Sequence, residues 1–129
     1  MIRREAQFAI LFRHWLKANP QISCSYELKD TRDKYFFRFA ELKEEQKNYA
    51  LAINSNKGVL IRVQGGGGEP DYIYLRNSPA YIVIKYPSSF SVIPIQTLLL
   101  EESRLVKGKR LKSLTEKRAE EISIITVQI

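Results

Sequence analysis

The chain has 129 residues, 44% of them hydrophobic and 27% charged, which suits one domain (1–129) around a single core. Its 21 Lys and Arg against 14 Asp and Glu give a net charge of +7, a balance that favours a polyanionic partner, nucleic acid first. A lone Cys24 and a lone His14 exclude an intrachain disulfide and a structural zinc centre, so any metal must be held by oxygen, which points to Mg2+ or Mn2+.

No apolar run approaches the roughly 18 residues of a membrane span. The N-terminal segment carries Glu5, Arg13, His14 and Lys17 where a secretory signal would be apolar. A cytoplasmic protein with no membrane contact is expected.

Residues 3–18 read as a helix, with Phe8, Leu11, Phe12 and Trp15 on one face and Asn19-Pro20 as its stop. Glu5 falls in the first turn, where a carboxylate also suits the helix dipole. The alternation over 22–29 predicts a strand, with Ile22, Cys24, Tyr26 and Leu28 toward the core. Glu27 and Lys29 then share the polar face beside Ser25. Cys24 fits a small core residue better than a nucleophile paired with His14.

After a polar turn at 30–34, residues 35–39 read as extended and 40–53 as helical. Leu42, Tyr49, Ala50 and Ile53 share a stripe there, and Gln46 falls on it. A polar side chain on a buried stripe needs a partner, either backbone or a site. Gly58 is placed for a left-handed turn before a buried-looking strand over 59–63.

Gly65 to Gly68 are a flexible loop and not a phosphate-binding loop, which would need a following Lys and Ser or Thr. Further strands are expected at 71–75, 80–86 and 90–95, then a short helix over 96–103. The segment 104–112 is the densest basic stretch and reads as a loop, either a phosphate contact or a solvated surface. Ser113-Leu114-Thr115-Glu116 has the form of a capping box opening a helix to about 123, and 124–129 suit a closing strand or a partner contact.

The succession of a helix, a strand with Glu27-x-Lys29, a helix with an inward Gln46 and a further strand resembles the core of the PD-(D/E)XK nucleases. Within them it is most similar to the small Holliday-junction resolvases and phage-type recombination endonucleases. The matching segments are Glu5, 26–31, 39–46 and 58–63, about half of the chain.

The resemblance implies an α/β fold with a restriction-endonuclease-like core, a central mixed sheet of about five strands flanked by helices. It implies a Mg2+-dependent (or Mn2+-dependent) endodeoxyribonuclease acting on branched DNA such as a four-way junction, working as a homodimer. Glu27 and the Leu28 carbonyl would hold the metal, Lys29 would position the attacking water, Gln46 would orient it, and Glu5 would reach the metal through water. Phosphate contacts would come from Arg32, Lys34, Arg38, Lys107, Lys109, Arg110 and Lys112. Phe36, Phe37 and the C-terminal isoleucines would form the dimer interface.

One departure stands out. The family carries an Asp on a strand before Glu-x-Lys, and no Asp lies between Asn19 and Ser25. Asp71 supplies the second carboxylate if its strand lies beside that of Glu27; otherwise Pro70-Asp71 is only a turn. Aligning Pro70-Asp71 with Val83-Ile84-Lys85 instead would leave Val83 where the acid belongs, a dead site. Glu41-Leu42-Lys43 repeats the spelling, but in a helix residues two apart do not face each other. The alternative function is a catalytically inactive nuclease-fold DNA-binding protein, or a subunit of a recombination complex.

Overall fold

The computed structural model describes residues 4–19, 25–64 and 70–129, with the side chains of Glu5, Val63, Gln64, Pro70 and Asp71 outside the description. Cys24 and the start of the first expected strand also lie outside it. The elements run α1 (Arg4–Ala18), β1 (Ser25–Asp30), β2 (Phe36–Arg38), a 3-10 turn (Phe39–Glu41) and α2 (Glu44–Ile53). There follow β3 (Val59–Gln64), β4 (Pro70–Leu75), β5 (Ala80–Lys85), β6 (Ser89–Pro94) and α3 (Ile95–Ser103). The chain closes with β7 (Leu105–Val106), β8 (Lys109–Arg110), β9 (Ser113–Thr115), α4 (Glu116–Ile122) and β10 (Ile125–Gln128).

The architecture is mixed α/β. A four-stranded sheet has the order β1-β5-β6-β10, with β1 parallel to β5 and the other neighbours antiparallel. It has one strand fewer than the sequence implied, because β3 and β4 pair with each other in a separate ribbon.

Alternation along the strands gives the sheet two apolar faces. On one, Val83, Phe90 and Val92 meet Phe8 and Phe12 of α1, with Trp15, Tyr26 and Leu28 packed around them. On the other, Ile82, Ile84 and Ile93 meet Ala50 and Ile53 of α2, Leu98 of α3 and Ala119 of α4. Helices therefore cover both faces, and the expected helix over 3–18, the helix over 96–103 and the closing strand all form. Arg4 ties α1 to the end of β1, 3.6 Å from Asp30, whose side chain is buried. The same guanidinium grips Asp33 at 2.9 and 3.0 Å.

Four expectations are corrected. The strand over 59–63 is not buried: its Leu60 is 63% exposed, since only the root of the ribbon, Val59 and Leu75, reaches the core. The basic segment is not a loop but a β7–β8 hairpin, turned by Lys107 (φ 54°) and Gly108 (φ 77°), the paired positive values a two-residue hairpin demands. Ser113 does not cap α4; it pairs with Arg38 in the β2–β9 ladder, and Thr115 Oγ1 accepts from the Arg118 N–H at 3.2 Å instead. Phe37 is fully buried in the core, so of the expected interface residues Phe36, Ile124 and Ile129 remain at the surface.

Candidate active site and basic groove

β1 is the edge strand of the sheet, and its backbone parity is fixed by the Ser25 and Thr31 N–H groups, which donate to Pro79 and Lys85 of the β5 side. In a parallel ladder alternate residues bond to alternate sides. The odd residues of β1 therefore face β5, and the Leu28 carbonyl is directed to the other edge.

Side chains alternate independently of this, across the faces of the sheet. Tyr26 and Leu28 pack on the α1 side. Glu27 emerges on the opposite side and meets α2. Gln46 Nε2 donates to Glu27 Oε1 at 2.7 Å, and Lys29 Nζ lies 3.7 Å from the same oxygen. Lys29 is the more enclosed of the pair, 17% exposed against 40% for Glu27.

Gln46 is held at both ends. Its Oε1 accepts from the Lys43 N–H at 3.0 Å, satisfying a donor at the start of α2, while its amide nitrogen reaches Glu27. The partners Gln46 needs on its stripe are thus a backbone N–H and the Glu27 carboxylate together. The three residues Glu27, Lys29 and Gln46 are brought together across nineteen positions of chain.

Glu27 and Gln46 line a cleft of about 280 Å³ together with Ser25, Glu45, Tyr49 and Tyr81, whereas Lys29 is outside that lining and is linked to it through Glu27. Glu45 and Tyr81 were not anticipated, and Tyr49 was expected in the core but is half exposed at the rim. The signal for Glu45 was weak but present: it directly precedes Gln46 in the first turn of α2, where a carboxylate suits the dipole.

The strand beside Glu27 is β5, with Ile82 as its register partner. Asp71 belongs to the β3–β4 ribbon, opposite Val63 near the end remote from its root. Its side chain lies outside the described residues, as does that of Glu5. Lys85, of the rival alignment, borders a separate cleft with Arg4 and Asp30.

The expected phosphate-binding residues fall in two places. Arg38, Arg110 and Lys112 line one groove of about 520 Å³ together with Phe36, Phe39 and Glu102. It is closed by pairing of β2 with β9 and by the Phe39 N–H donating to the Lys112 carbonyl. Lys107 and Lys109 extend from it along the β7–β8 hairpin. Arg32 and Lys34 lie instead on the β1–β2 turn, where Lys34 Nζ is 5.7 Å from the Phe36 ring centroid.

α2 joins the groove to the cleft. Gln46 faces Glu27 on one side, and the next residue, Lys47, meets Glu102 of the groove at 2.9 Å on the other.

No family model, curated protein or solved structure matches the chain. Among the described residues no helix is long and apolar enough to cross a membrane. Nor is there, among them, a group of three or more His, Cys, Asp or Glu placed to hold a metal ion.

Proposed function

We propose that the protein is a metal-dependent endodeoxyribonuclease with a restriction-endonuclease-like core, acting on branched DNA as a homodimer. The observation that supports this best is the convergence of Lys29 and Gln46, from two elements that only the fold brings together, on one oxygen of Glu27, which lines a cleft with Gln46.

The donor set fits Mg2+ of modest affinity. Both side-chain contacts fall on Glu27 Oε1, the Leu28 carbonyl is directed to the free edge of β1, and Glu45 shares the cleft. Mg2+ needs only one or two carboxylates when water and substrate phosphate complete its shell. A bound Mg2+ would supply Lewis acidity and an activated water.

The chain's own groups do the positioning. Gln46 holds the Glu27 carboxylate in one rotamer, so its orientation is set before substrate arrives. Lys29 offers a partly enclosed ammonium to the charge that develops on the phosphate. Arg38, Arg110 and Lys112 draw the DNA backbone into the adjacent groove.

A second reading is a DNA-binding protein that no longer cuts. The favouring observation is that the described carboxylates of the cleft are two, Glu27 and Glu45.

Cleavage of a labelled four-way junction, beside duplex and single strand, with Mg2+ or Mn2+ separates these. Paired nicks that fall at least 100-fold in Glu27→Ala and Lys29→Ala, with DNA affinity kept, are the expected result. Gln46→Ala should lose about tenfold or more, because the carboxylate is freed to rotate. Tight binding without cleavage in any metal would leave the second reading standing.

A further inference from the structure

The β3–β4 ribbon has an exposed face that the nuclease reading does not use. Leu60 pairs with Tyr74 and Arg62 with Tyr72, so these four side chains share one side of the ribbon. All four are exposed, with Leu60 at 63%, Tyr72 at 57% and Tyr74 at 53%. On the opposite side Val59 and Leu75 anchor the root against the core, and beyond them Ile73 is exposed but brings neither an aromatic ring nor a cation.

Tyr74 is preset on this face. Its hydroxyl donates to the Lys57 carbonyl, and the Arg76 guanidinium carbon lies 5.9 Å from its ring centroid. Tyr72 and Tyr74 are two residues apart, roughly 7 Å along an extended strand. This is about twice the 3.4 Å rise of a stacked nucleic-acid strand. Each ring can therefore take one base of a strand that has been pulled out of its stack.

Charge selects among occupants. The described cations of the ribbon and its root are Arg62, Arg76 and Lys57, and Asp71 occupies the alternate set of register positions. A second copy of the chain would bring the same positive face and a net charge of +7 toward itself. A polyanion meets no such repulsion.

We infer that the Tyr72–Tyr74 face of the β3–β4 ribbon binds unpaired DNA, stacking successive bases on the two rings while Arg62 and Arg76 meet the phosphates. This rests on the reading that DNA is the ligand, and it is independent of the metal chemistry at Glu27. Base–aromatic contacts of this kind tolerate any sequence, since every base has a π-face.

The test is fluorescence anisotropy of a labelled oligothymidylate and of a labelled duplex, in EDTA at fixed salt, with circular dichroism as a check on folding. Tyr72→Ala should weaken oligothymidylate binding about 5- to 150-fold, the range for losing one stacked base. Duplex affinity should stay within about twofold, and Tyr72→Phe should restore single-strand binding because the ring suffices.

Unchanged oligothymidylate affinity in Tyr72→Ala overturns the inference, and so does equal loss on both ligands. A wild-type dimer that Tyr72→Ala splits, with single-strand affinity per chain unchanged, overturns it as well and makes the ribbon an interface between copies. If the wild type binds no DNA at all, the inference and the nuclease reading fall together. If it cuts a junction while Tyr72→Ala binds normally, only the inference falls.

Discussion

Gln46 shows how much one side chain can settle. An amide has a donor end and an acceptor end, and in Gln46 each end is committed to a different element. Removing it would loosen the start of α2 and the Glu27 rotamer together. Gly58 does the equivalent for the ribbon. Its φ is +69°, and an added Cβ would meet the Leu75 carbonyl oxygen at 2.7 Å, Arg76 Cβ at 2.8 Å and Tyr74 Cε1 at 2.9 Å. Two of those atoms belong to the backbone or lie next to it, so they cannot rotate away. Gly58→Ala should therefore cost about 2 kcal/mol or more, strain at a left-handed position added to overlap. Thermal unfolding checks this. A midpoint unchanged from wild type would mean that the ribbon root yields freely. The glycine was legible in the sequence as a turn residue, whereas its contact with β4 was not, because nothing in 59–63 announced which strand it would pair with.

At the scale of elements, Arg118 ties α4 to a buried carboxylate of α3, a link that no local pattern in the sequence announces. Glu101 of α3 is buried, 5% exposed, and its two oxygens accept from Arg118 of α4 at 2.6 and 3.0 Å. Arg104 adds a contact at 3.4 Å, and Arg118 also holds Glu121 at 2.8 Å. Hydrogen bonds from Arg118 hold the Glu101 carboxyl below its ordinary range, outweighing the opposing effect of burial. A carboxylate with a depressed folded pKa adds stability that is present above its unfolded value, near 4.5, and is lost as pH falls through the folded value. Stability should accordingly decline below about pH 4, and part of that slope should vanish in Glu101→Gln. The variant should lose about 2–3 kcal/mol at neutral pH. That is less than for a fully buried pair, because Arg118 remains one-third exposed. Urea melts at several pH values would decide it, and parallel pH slopes for both proteins would remove Glu101 from the account. Seventeen residues separate this pair, and no periodicity links them. The amphipathic helix α1, the alternating β1 and the apolar β5 were readable because each pattern is local. The ribbon was misread for the same reason: Val59-Leu60-Ile61 is apolar enough for a central strand, and only its pairing with β4 puts Leu60 in solvent.

Across the whole molecule, the net charge of +7 is distributed unevenly. Several cations are spent on structure: Arg4 on Asp30 and Asp33, Lys47 on Glu102, Arg104 and Arg118 on Glu101. Among the described residues, Arg38, Arg110 and Lys112 make no ion pair, and they face one groove. The field available to a polyanion therefore includes a cluster of three unmatched cations beside α2, the helix that also carries Gln46 to Glu27. This geometry has a thermodynamic signature. Each cation that neutralises a duplex phosphate releases condensed counterions and adds about 0.9 to the slope of log affinity against log salt. Combining Arg38→Ala, Arg110→Ala and Lys112→Ala should lower that slope by about 2 to 3. Affinity should also fall most at low salt, where the released ions matter most. Replacing Lys47, Arg104 and Arg118 removes the same formal charge but from groups already matched by carboxylates, and should change the slope by less than about 1. A titration of duplex binding across salt concentrations distinguishes the two sets. Equal slopes in both would mean that net charge alone attracts DNA, and the groove would then have no claim to guide the backbone toward Glu27.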